Sequence, residues 1–143
     1  MAKIELPDHI LNALSTVPQQ LQQSLPELKQ IPDLSAHAYK WHQGELKPIH
    51  QLRQMELADL KGIERQKEKV IQNTLQFLNG LPANDVLLTG SRGTGKSSIV
   101  RALLTEYADQ GLRLIEIERD DLSDLPQIQQ LIAERPEKFI VYC

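Results

Sequence analysis

Eight residues narrow the folds open to this chain more than any others. Gly90-Ser91-Arg92-Gly93-Thr94-Gly95-Lys96-Ser97 fit the pattern G-x-x-x-x-G-K-[ST] with nothing missing and nothing extra. Val86, Leu87 and Leu88 precede the pattern as a short apolar run, which predicts a strand over Asp85 to Thr89, buried on both faces. Ile99, Val100, Leu103 and Leu104 follow at helical spacing. A strand, a glycine-rich turn and a helix in that order form a phosphate-binding loop, not a chance cluster of glycines.

The residue types suit that chemistry. Gly90, Gly93 and Gly95 permit backbone conformations and close approaches that a Cβ obstructs. Successive N–H groups of Ser91, Arg92, Gly93, Thr94 and Gly95 can then form a concave anion nest, extended by the dipole of the helix beginning near Gly95. Lys96 is expected to reach the β- and γ-phosphates of a nucleotide, with Ser98 beside it in the first helical turn. The Ser97 hydroxyl is the expected magnesium ligand. Arg92, within the loop, is placed against phosphate or a neighbouring subunit, or exposed at the loop apex.

Charge is distributed to match. The 143-residue chain carries a net charge of −3, which argues weakly against nucleic acid as a whole-surface partner. Yet residues 61–101 hold seven Lys/Arg against three Asp/Glu, while residues 102–143 hold four against nine. The basic surplus surrounds the loop, where it attracts a polyanion. No apolar run approaches the roughly 20 residues needed to cross a bilayer. The N-terminus lacks the pattern of a signal peptide. Cys143 is the single cysteine, so no internal disulfide forms and a cytoplasmic location is expected, with Cys143 ending a buried strand.

Residues 1–56 are expected to form a mainly helical N-terminal region or linker, holding five of the eight prolines and many glutamines. Short helices are predicted at Ile10 to Leu14 and Gln19 to Leu25; Leu34 to Trp41 is ambiguous, with Tyr39 and Trp41 placed on one side of a strand. His37, His42 and His50 lack partners at metal-ligand spacing, so no metal is assigned to them, and Trp41 reads as a core anchor. From residue 57 the pattern alternates. A helix is predicted over Ile63 to Gly80, another from Lys96 to about Gln110 with Gly111 as its stop, and a short one over Leu125 to Ile132. Leu112 to Ile117 and Phe139 to Cys143 are the second and third strands. Asp121 or Ser123 is the expected cap of the last helix. The fold class is therefore α/β, a three-layer nucleotide-binding architecture with a parallel sheet.

Asp59-Leu60-Lys61-Gly62-Ile63-Glu64-Arg65-Gln66, ahead of the glycine-rich loop, resembles the opening segment of AAA+ ATPases. Within that superfamily the chain is most similar to a bacterial family of ATP-binding proteins of unknown function. That resemblance is carried by Gly62 to Gln66, Asn73-Thr74, Gly80 to Asn84, the loop, Glu106 to Glu116, Asp120-Asp121-Leu122, Asp124-Leu125-Pro126 and Arg135-Pro136-Glu137. It implies that the backbone at Gly62 and Ile63 lies against adenine, that ATP and Mg2+ are the ligands, and that the full-length parent is a homo-oligomeric ATPase acting on a protein or nucleic-acid client. It covers about residues 57–143, expected to be the N-terminal part of the nucleotide-binding domain.

The departures are as specific as the match. In AAA+ proteins a strand like Phe139 to Cys143 runs into the acidic Walker B residues, followed by sensor, arginine finger and helical lid; none stands in this sequence. That superfamily also inserts a later strand between the loop strand and the Walker B strand. Val86 to Thr89 and Phe139 to Cys143 are thus expected to face each other across a missing neighbour, with Leu112 to Ile117 at the sheet edge. The expectation is an incomplete domain that binds ATP without turning it over. Two rivals stand beside it: a small phosphotransferase, in which the third strand would lie beside the first, and a non-catalytic interaction fragment that binds through its glutamine-rich region.

Overall fold

The computed structural model describes residues 33–143, and the helices expected at Ile10 to Leu14 and Gln19 to Leu25 lie outside that range. Pro32–Cys143 forms one compact unit. Its centre is a four-stranded sheet built from β1 (Ala38–His42), β2 (Glu45–Pro48), β3 (Leu112–Ile117) and β4 (Lys138–Tyr142), in the order β2-β1-β3-β4. Three helices cover it: α1 (Glu64–Leu78), α2 (Lys96–Tyr107) and α3 (Leu125–Ile132).

β3 pairs in parallel with both β1 and β4, with Leu114 opposite Ala38 on one side and Ile140 on the other. β1 and β2 form an antiparallel hairpin, so the sheet is mixed and not wholly parallel as expected. The hairpin follows from Gln43 and Gly44, whose φ values of 51° and 79° make the two-residue reversal that suits the twist of paired strands.

Period-two alternation sorts the side chains into two layers. Tyr39 and Trp41 of β1 with Ile115 and Ile117 of β3 face α3, whose Ile128 is fully buried among them. Ala38 and Leu114 face the opposite way and pack on Leu104 of α2. α1 covers α2 and the start of β3, setting Val70, Ile71 and Leu75 against Leu103, Tyr107 and Leu112. Helices on both faces of one sheet give the expected α/β layering.

Four further expectations change. The helical character assigned to residues 1–56 does not extend to 38–48, which form β1 and β2 in the same sheet as β3 and β4. Leu112 to Ile117 is central and not an edge, because β1 covers the flank that local sequence leaves open. Asp85 to Thr89 takes no place in any strand ladder: Val86 is 49% exposed and Leu87 87% exposed. An apolar triplet has the composition of a buried strand, but a strand also needs a neighbour, and β4 has its ladder partner in β3 alone. Cys143 lies just beyond β4 and is exposed, so it does not end a buried strand.

The helix stops agree well with local chemistry. α2 gives way to a single tighter turn at Ala108–Gln110, and Gly111 closes it with φ 93°. No described helix is long and apolar enough to cross a membrane.

Candidate functional site

The candidate loop runs from Gly90 to the first turn of α2. Gly95 precedes the helix with φ 90°, a conformation costly for any residue with a Cβ, and its carbonyl accepts the first helical bond from Ile99 N at 3.0 Å. From that turn Lys96 folds back over the loop. Its Nζ donates to the carbonyls of Gly90 and Ser91, each at 2.7 Å, and lies 3.4 Å from Thr94 Oγ1. Thr94 Oγ1 itself donates to Ser91 O at 2.7 Å. A Cβ at Gly90 would stand 2.9 Å from Thr94 Oγ1, so the loop closes only around a glycine there.

The start of α2 differs in charge from the start of α1. The first turn of α2 contains no acidic residue. Glu64, in the first turn of α1, accepts from Gly62 N at 3.0 Å through Oε1. Backbone N–H groups of Glu64 and Gly62 hold that carboxyl below the usual range. α1 thus uses its own side chain to answer orphan donors, whereas α2 presents its positive end beside an ammonium group. Ser91, Arg92, Gly93, Thr94 and Ser97 are exposed on this side, and Ser98 is half-buried.

The base of the loop is held from a distant part of the chain. Leu60 packs with Ile99 and Ala102, and Ile63 and Leu88 join that cluster. A Cβ at Gly95 would touch Leu60 Cδ2 at 4.0 Å. Lys67 of α1 ties down the turn before it, donating to Leu57 O at 2.9 Å and Leu60 O at 3.0 Å. The fold therefore brings Ile63 to the foot of the loop, while Gly62 is exposed with φ 80°.

Asn73 supplies a clamp whose role no spacing rule reveals. Its side-chain amide donates to Asn84 O at 2.7 Å, and Asn84 N donates back to Asn73 Oδ1 at 2.9 Å. This pair of bonds anchors to α1 the segment that leads into the loop. Thr74, next along, is buried and donates to Val70 O at 2.8 Å. The pairing joins residues eleven apart through a loop, so neither helix nor strand periodicity predicts it.

Two of the acidic residues beyond β3 have partners on β1. Glu118 pairs with Lys40 at 2.8 Å, and Asp124 accepts from Trp41 Nε1 at 2.9 Å. Asp124 occupies the cap position of α3 without a side-chain capping bond, so the expected Asp121 or Ser123 cap is not formed. Trp41 is fully buried, the core anchor its size implied. Glu116 accepts from Tyr142 Oη at 3.0 Å across paired strands. Burial, followed by the Glu116 charge, pushes the Tyr142 hydroxyl up to about 12.

Residues 34–143 match the family described as Protein of unknown function (DUF815). The chain is also 29% identical over 85 residues to the Replication factor C large subunit of Methanococcus maripaludis (strain C7 / ATCC BAA-1331). That alignment covers 59% of this chain and 17% of the relative, so the shared region is a small part of the latter. No solved structure matches the chain.

Proposed function

The chain belongs to the family described as Protein of unknown function (DUF815), and from that premise we propose that Gly90 to Ser98 form the polyphosphate site of an AAA+-type ATP-binding module. The observation that carries this reading is the grip of two loop carbonyls on Lys96 Nζ, at the start of a helix with no acid in its first turn. Two short bonds keep the ammonium over the loop, and the weak 3.4 Å contact to Thr94 leaves a donor for an anion. Bound nucleotide would bring a metal-bridged polyphosphate. Lys96 would neutralise part of its charge, the N–H groups at Gly93 to Lys96 would take up oxygens, and exposed Ser97 would offer a hydroxyl to Mg2+.

Gly62 and Ile63 are assigned to the adenine side, supported by the packing of Ile63 with Ile99 beneath the loop. The similarity to a Replication factor C large subunit supports an oligomeric, ATP-dependent parent with a protein or nucleic-acid client. The phosphotransferase alternative gains nothing from the strand order, since β4 lies beside β3 and residues 85–89 are outside the ladder.

Calorimetric titration with Mg-ATP tests the site. Lys96→Ala is expected to weaken binding at least about tenfold, the loss of a charge-assisted contact. Equal affinity of the variant and the parent would remove Lys96 from the site and the reading with it.

A further inference from the structure

Thr94 occupies the middle of the loop pattern, where any residue type satisfies the motif. Its side chain is nevertheless tied into the geometry around Lys96. Ser91 O is an acceptor shared by Thr94 Oγ1 at 2.7 Å and Lys96 Nζ at 2.7 Å. The same Oγ1 lies 3.4 Å from Nζ, completing a triangle of hydroxyl, carbonyl and ammonium. We infer that Thr94 is a positioning residue for Lys96: its hydroxyl fixes the Ser91 carbonyl that holds the ammonium over the loop.

The physical reason is the exposure of the loop. Ser91 is exposed, so its carbonyl is free to turn toward water unless something orients the peptide. The Thr94 hydroxyl orients it from three residues away, and the carbonyl then presents its second lone pair to Nζ. Without that bond, a long flexible side chain must pay its rotamer entropy against a moving acceptor. The requirement for glycine at position 90 follows from the same arrangement, because a Cβ there would meet Thr94 Oγ1 at 2.9 Å. Gly90 and Thr94 are therefore coupled, one leaving the space that the other's hydroxyl fills.

The inference concerns the resting loop and is measurable without nucleotide, although its relevance to binding rests on the proposed polyphosphate site. Lysine side-chain 15N NMR reads the exchange of Nζ protons with water residue by residue. In Thr94→Val, which keeps the branched shape and deletes the hydroxyl, Lys96 exchange is expected to rise about fivefold, the loss of one net hydrogen bond. Thr94→Ser, which keeps the hydroxyl, is expected to match the parent. Lys67, held by two carbonyls in a different place, is the internal control and stays unchanged if the fold is intact. Should Thr94→Val disturb Lys67 as well, Thr94→Ser against Thr94→Ala makes the same comparison at smaller volume. Equal Lys96 exchange in the hydroxyl-bearing and hydroxyl-free variants overturns the inference.

Mg-ATP titration of the same proteins separates the two ideas. Weaker binding in Thr94→Val, restored in Thr94→Ser, joins positioning to the site. Faster Lys96 exchange with no Mg-ATP binding even in the parent keeps Thr94's role and refutes the ATP site.

Discussion

The two ends of the sheet are built differently. At one end β2 is a four-residue strand with Glu45 and Lys47 exposed and Pro48 closing it. Short length, charge and proline are the devices that blunt an edge against further pairing. At the other end β4 carries Phe139, Ile140, Val141 and Tyr142, all half-buried, with Lys138 its only charged residue. Nearby in sequence to the loop, Val86 and Leu87 are exposed apolar residues outside any ladder. One end is finished and the other stays apolar, while the segment leading into the candidate loop joins neither. The loop's shape consequently comes from α1 and α2, through Leu60, Ile99 and the Asn73–Asn84 clamp, instead of from a strand locked in the sheet.

The contrast can be broken most forcefully at the finished end. Trp41→Ala removes a fully buried indole and orphans Asp124, and is expected to cost about 3–5 kcal/mol. Urea denaturation followed by circular dichroism measures it; a loss below about 1 kcal/mol would mean that β1 is not the anchor of the sheet. On the other side, Asn73→Ala should cost only about 1 kcal/mol, since water can satisfy the exposed Asn84 backbone. Its expected signature is local: Asn84 amide exchange quickens while β3 amides keep their protection, and a uniform loss of protection would contradict a clamp confined to the loop approach.

The last effect belongs to the β4 edge, is absent at neutral pH and appears only in alkali. Tyr142 titrates in the folded chain at about 12 against an ordinary 10, so the folded state holds that proton more tightly than the unfolded state. The stability this supplies is complete below pH about 10 and falls as pH rises toward the folded value. Tyr142→Phe is expected to flatten the decline seen by denaturation between those limits. An unchanged decline would assign alkaline sensitivity to other tyrosines, of which Tyr39 and Tyr107 are also raised by burial.

Local chemistry made much of this legible. Gly95 at the start of α2, the alternation of Leu112 to Ile117, and the apolar spacing of Leu125 to Ile132 all mark elements within a residue or two of where they stand, and Gly111 closes the tighter turn that follows α2. The clamp of Asn73 and the grip of Lys67 on Leu57 and Leu60 were not legible, because a hydrogen bond between a side chain and a distant backbone leaves no period in the sequence. Trp41 was recognisable as an anchor from its size, but its partner Asp124 lies 83 residues away.

What the amino-acid order decided alone is the loop: glycines where the backbone turns, a lysine one residue into a helix, and hydroxyls beside it. These depend on residues within a few positions of each other, where steric limits and capping act directly. What tertiary structure decided is membership of the sheet. β1 joined β3 from a stretch left ambiguous within a region expected to be mainly helical, and the apolar triplet before the loop was left out. A ladder needs two partners in register, so whether an extended segment becomes a strand is a property of its neighbour as much as of itself.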